Sequence, residues 1–138
     1  MSRAGKSGLQ PFTRTQARQR LDYGQKCFEV ADVISGEPDD DWTPKIAVSL
    51  HVLAGIAAAD AITGARQGER WRGSDHRGAI ALLDAVTGAK DAGRALSDLL
   101  DLKDKAQYSP HLVSASEERQ ATRRAQQLLD KAAEALRR

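Results

Sequence analysis

Apolar residues recur at three- and four-residue steps along most of this chain and nowhere alternate over a sustained stretch, a pattern that predicts helices throughout. In TRTQARQRLDYGQKCFEVADVIS the stripe Ala17, Leu21, Gly24, Phe28 and Ala31 marks a first amphipathic helix that ends near Gly36. The acidic loop EPDDD at 37–41 leads to Trp42-Thr43-Pro44, where Thr43 suits the N-cap and Pro44 the first turn, whose N–H has no partner to lose. IAVSLHVLAGIAAADAITGA is then apolar around nearly its whole circumference, the mark of a buried central helix. From Pro44 to Arg66 it would span about 35 Å, and Gly68 stops it. Ser74 or Asp75 is placed to cap a third helix with Ile80, Leu83 and Val86 inward and Gly88 at its C-cap. KDAGRALSDLLDLKDKAQY continues as a fourth, with Leu96, Leu99, Leu100 and Leu102 inward, until Ser109-Pro110 breaks it. Ser114-Ala115-Ser116-Glu117 has the form of a capping box, and Ala121, Ala125, Leu128, Ala132 and Leu136 stripe the last helix. The expected fold class is all-α: an up-and-down bundle of four long helices, or five where the fourth is counted apart from the third, from which it is kinked.

Composition narrows this picture. With 138 residues the chain makes one ordinary domain, read here as a basic flexible tail over 1–12 and a single helical-bundle domain over 13–138. The lone Cys27 falls on an apolar stripe and is expected to be a buried thiol, a usage that suits a reducing compartment. The N-terminus lacks the apolar core of a signal peptide, and no run is read as approaching the length of a membrane span. The expected setting is cytoplasmic, with no membrane partner. A net charge of +2 is small, but it is unevenly spread: Arg3, Lys6, Arg14, Arg18 and Arg20 fall within the first 20 residues with no acid among them. They are either a solvated tail or a phosphate-attracting face.

Several chemistries have no support. The histidines at 51, 76 and 111 are far apart, and His51 and Asp60 lie about 180° apart on one helix, so no metal site is expected and no cofactor is implied. A phosphate-cradling glycine loop needs a preceding strand, and none is predicted. Neither a serine triad nor a paired-carboxylate hydrolase has a motif. Asp60, inside the apolar helix, must find a partner: either an arginine from the loop that follows or a ligand. His51 reads as a satisfied core histidine.

The segment GERWRGSDHRGAIALL, 68–83, is the place that chemistry points to. His76 falls in the first turn of the third helix, where the positive end of the helix dipole attracts anions and favours neutral imidazole. Neutral imidazole near a phosphate is a general base. Arg70 could stabilise charge on phosphate oxygens, while Arg66, Arg72, Arg77 and Asp60 would hold the substrate. These are the parts of a metal-free ribonuclease in which the base activates a ribose 2'-hydroxyl, a group DNA does not have.

The Ala-rich helix with an embedded acid (AAADAITGA), the histidine-led DHRGAIALL, LKDKAQYSP and the capped last helix together resemble the HEPN superfamily, over most of the chain. Lys103, Ala106 and Tyr108 stand where family members often have an arginine, an alanine and a tyrosine. The resemblance implies a helical bundle. It also implies a metal-independent endoribonuclease of toxin or defence type acting on single-stranded RNA, with Arg70 and His76 as its arginine and histidine. Residues six apart on a continuous helix diverge by about 120°, and the family's remedy is a homodimer whose two motifs face each other, with Trp71 as an interface anchor or as a cover for the end of the bundle. A neutralising protein partner, commonly a nucleotidyltransferase, accompanies such toxins. The alternative is a non-catalytic HEPN-like module that binds nucleotide, RNA or a protein partner; a plain helical adaptor is the third reading.

Overall fold

The computed structural model describes residues 8–36, 40–73 and 75–138. Five helices carry most of them: α1 (Arg14–Gly36), α2 (Thr43–Gln67), α3 (His76–Thr87), α4 (Asp91–Gln107) and α5 (Ala115–Arg137). The chain is mostly helical, as its periodicity predicts. The fourth helix is separate from the third, because Gly88 adopts a left-handed φ of 72° and closes α3 by donating its N–H to the Asp84 carbonyl.

α2 is the centre. Ala54, Ala57, Ala58 and Ala61 are fully buried, and these short side chains let α1, α4 and α5 pack closely around it. Where α1 crosses, Gly24 is the contact, and a Cβ there would lie 3.1 Å from the Ala54 carbonyl oxygen and 3.2 Å from the Ala57 Cβ. Leu99 and Leu128 reach in from α4 and α5, and Cys27 is buried on α1 as its stripe predicts. α2 departs from expectation in one respect. With 25 residues and a mean hydropathy of 1.8 over its most apolar window, it is long and apolar enough to cross a membrane by length and composition. Two-thirds of that window, 67%, is buried against the other helices, which accounts for the apolarity.

The helix ends follow local chemistry, with one substitution of roles. Thr43 lies inside α2, and the Asp40 carboxylate takes over the capping, accepting from the backbone N–H of Trp42 at 2.8 Å and of Thr43 at 3.1 Å. Gly68 closes α2 at φ 72°. Asp75 caps α3, and Ser114 with Glu117 forms the reciprocal box at the start of α5. Ser74, the other candidate cap, lies outside the described residues.

Two corrections concern the N-terminal region. Strands do occur: β1 (Leu9–Pro11) pairs antiparallel with β2 (Glu69–Trp71), Gln10 opposite Arg70. Residues 8–12, read as part of a flexible tail, therefore belong to the folded unit, and Phe12 is buried in its core. Residues 1–7 of that tail lie outside the described residues. Nor do Arg14 and Arg18 form a free phosphate-attracting face. Arg14 Nη2 donates to the carbonyls of Leu136 at 2.9 Å and Arg138 at 2.6 Å, and Arg18 Nη2 donates to Leu136 at 3.3 Å, so both satisfy the carbonyl end of α5.

His51 is buried on α2, edge-on to Phe28 with ring centroids 5.1 Å apart, and neither ring nitrogen has a hydrogen-bond partner among the described residues. It is a core histidine, but not a satisfied one. Burial lowers its pKa below the ordinary 6.5, against the opposing pull of Asp32. As pH falls through about 6.5 the unfolded chain therefore takes up a proton that the folded chain refuses, and stability drops. Thermal melts between pH 7.5 and 5 should show this slope. His51→Leu should flatten it without lowering the melting temperature at pH 7.5; an unchanged slope would mean that another group carries it.

Candidate functional site

Asp60 organises the region. It is buried near the C-terminal end of α2, and its Oδ2 accepts from Arg70 Nη1 at 3.1 Å and faces Arg20 Nε at 3.5 Å. Of the two fates open to this carboxylate, pairing with an arginine from the loop that follows is realised. Arg20, reaching over from α1, is a second partner that no spacing in the sequence announces. Burial raises the Asp60 pKa above the usual carboxylate range, while Arg20, Arg70 and Arg72 pull it down.

Arg70 is spoken for. It sits mid-strand on β2, where Nε donates to Gln10 Oε1 at 2.9 Å, Nη1 holds Asp60, and the guanidinium carbon lies 4.3 Å from the centre of the Phe12 ring. Its side chain is only 16% exposed. Because Arg70 is on a strand and His76 opens α3, the continuous-helix geometry behind the expected divergence of the pair does not apply.

Beside Asp60 is a cavity of about 240 Å³. Its apolar lining includes the buried Ala59 and Leu96 and the half-buried Ile56 and Leu100. Its polar lining is Arg20, Asp60, Arg72, His76 and Lys103, while Arg70, Arg66 and Arg77 do not contribute. Arg66, in the last turn of α2, and Arg77, the second residue of α3, are both exposed. Of the residues expected to act together, the cavity thus gathers Asp60, Arg72 and His76. Sequence reasoning missed Arg20 and Lys103 as site residues. The one signal for Lys103 was its place in LKDKAQYSP, one of the segments on which the expected resemblance rests.

Trp71 forms one wall of the cavity and is fixed in place. Its Nε1 donates to the Asp75 carbonyl at 2.8 Å, and Gly8, Gly73 and Gly78 surround the ring so closely that a Cβ at any of them would overlap it. That packing holds the β2–α3 connection against β1, with Arg72 N–H bonded to the Gly8 carbonyl at 2.6 Å. It also places the exposed first residue of α3, His76, at the cavity rim. These contacts of the ring all lie within the chain.

The charges are not equally committed. Arg20 and Arg70 answer Asp60, whereas the side chains of Arg72, His76 and Lys103 make no hydrogen bond or ion pair among the described residues. Asp60 Oδ1 likewise has no hydrogen-bond partner among them, leaving an acceptor on a residue that lines the cavity. Two basic side chains that make no hydrogen bond or ion pair among the described residues, beside an apolar lining, suit an anion carrying an organic group. Among the described residues no three His, Cys, Asp or Glu side chains gather as metal ligands. No family model matches the chain, and no curated protein matches it.

Proposed function

We propose that this chain is a HEPN-like module that binds the phosphate of a nucleotide or RNA at the Asp60 cavity. The observation that carries the reading is the convergence of Arg72 and Lys103, both without an ion-pair partner among the described residues, on a cavity whose lining carboxylate, Asp60, already pairs with Arg20 and Arg70. Arg72 and Lys103 hold phosphate oxygens, Trp71 and the apolar walls bound the attached group, and His76 adds a donor or acceptor at the rim. An up-and-down bundle is the helix arrangement proposed with it, supported by the central place of α2 against α1, α4 and α5.

Fluorescence anisotropy with a short single-stranded RNA tests the reading. Arg72→Gln and Lys103→Gln should each weaken binding about tenfold, the loss of one charged hydrogen bond, and should reduce its salt dependence. Arg66→Gln, at an exposed cation outside the cavity, should change it little. Equal losses from all three variants would point to diffuse surface charge and discard the cavity.

A second reading, metal-independent cleavage by a homodimer, is favoured by one observation: His76 is exposed at the same mouth as the uncommitted Arg72. In that case His76 takes the 2'-hydroxyl proton, the 2'-oxygen bonds to phosphorus, and the 5'-oxygen leaves with a proton, giving a cyclic phosphate and a 5'-hydroxyl end. Arg72 replaces Arg70 as the cation facing the phosphate. RNA fragments with those ends, formed in chelator and lost in His76→Ala, would establish cleavage; intact RNA under conditions where it binds would leave the binding module.

A further inference from the structure

We infer that the cavity takes a terminal phosphomonoester, the phosphorylated end of a single nucleotide unit, and not an internal phosphodiester. This rests on the binding function proposed above and narrows its ligand. Size is the first argument: about 240 Å³ is below the range of roughly 300 to 1,000 Å³ typical of drug-sized ligands, so one sugar or base enters and a strand does not. Depth is the second. The lining runs from buried Ala59 and Leu96 to exposed Arg72 and His76, a gradient from apolar interior to charged mouth that suits the end of a ligand.

Charge is the third argument. A phosphomonoester carries about −1.5 to −2 at pH 7, against −1 for an internal diester, and the rim offers Arg72 and Lys103 to answer it. Asp60 Oδ1 is an acceptor without a hydrogen-bond partner among the described residues, suited to a hydroxyl or amino donor on the attached group. Asp60 does not repel the phosphate at the rim, because Arg20, itself in the lining, and Arg70, outside it, compensate its charge. The ligand thus has a dianionic head, a hydrogen-bond donor and a compact apolar face, which a free nucleoside monophosphate and the 5'-phosphorylated end of an RNA both provide.

The test compares three probes on the intact chain by calorimetry: adenosine 5'-monophosphate, a short RNA with a 5'-phosphate, and the same RNA with a 5'-hydroxyl. Emission of Trp71 in a Trp42→Phe background gives a second readout. The phosphorylated RNA should bind about tenfold tighter than its hydroxyl twin, the gain of one charge-assisted contact, and Arg72→Gln with Lys103→Gln should erase the difference. Monophosphate binding as tight as the phosphorylated RNA identifies the free nucleotide as sufficient ligand; markedly weaker binding identifies the RNA end. Equal affinity for the two RNAs, still lost in the two variants, overturns the terminal-phosphate inference and leaves nucleic-acid binding at the cavity intact. Absence of binding by all three probes overturns both.

Discussion

Arg70→Ala should lower the melting temperature by about 10 °C, a structural loss where the residue types alone suggested a purely catalytic one. The substitution leaves Asp60, buried and charged, with only Arg20 at 3.5 Å, and also removes the cation from Phe12 and the tie to Gln10. Breaking one side of a buried ion pair costs about 3 kcal/mol or more, and each kcal/mol shifts the melting temperature of a domain this size by roughly 3 to 4 °C. Arg70→Lys should recover little, because an ammonium cannot hold Gln10 and Asp60 while lying flat on a ring. The Arg70→Ala/Asp60→Ala double variant should lose less than the sum of the singles, since each removes the charge the other would strand. Calorimetric melts of the four proteins decide this; a stability-neutral Arg70→Ala would return the residue to the list of catalytic candidates.

The second large effect is in the core. Leu99 is fully buried on α4, with its Cδ1 against the face of α2 that Gly55 leaves bare. Leu99→Ala should cost about 3 kcal/mol through lost burial and the void left behind. Gly55→Ala alone should also destabilise, by about 1 kcal/mol, because overlap of its Cβ with Leu99 outweighs the roughly 1 kcal/mol that alanine gains over glycine in a helix. Combined, the signs change. With Leu99 shortened, the methyl introduced by Gly55→Ala enters vacated space and the helical gain survives, so the double variant should be more stable than Leu99→Ala alone. Urea titrations of the three variants measure this, and strict additivity would mean that the two side chains do not share the space.

The helices were legible because their signals are local. The all-round apolarity of α2, the stops at Gly68 and Gly88, and the Ser114 box each lie within a few residues of what they determine. β1 and β2 were not legible: three residues are too few to display alternation, β1 ends in a proline, and the pairing joins positions about sixty apart because α2 returns the chain beside Phe12. The site divides the same way. That Asp60 needs a partner follows from its apolar neighbours, and that Asp75 starts a helix at His76 follows from capping. Arg20 and Lys103 come to the cavity from helices that only tertiary packing brings near, and the inward turn of Arg70 depends on the strand pair.

The apolar circumference of α2 also sets a timing problem during synthesis. Its last residue, Gln67, leaves the ribosome well before α5, which starts at Ala115, can cover it. At about 5 to 20 residues per second that gap lasts roughly 2 to 10 seconds, during which α1, and then α3 and α4 as they emerge, give only part of the final cover to a segment that by length and composition could cross a bilayer. Nascent chains stalled between α3 and α5 are therefore the species on which chaperones and membrane-insertion machinery would compete.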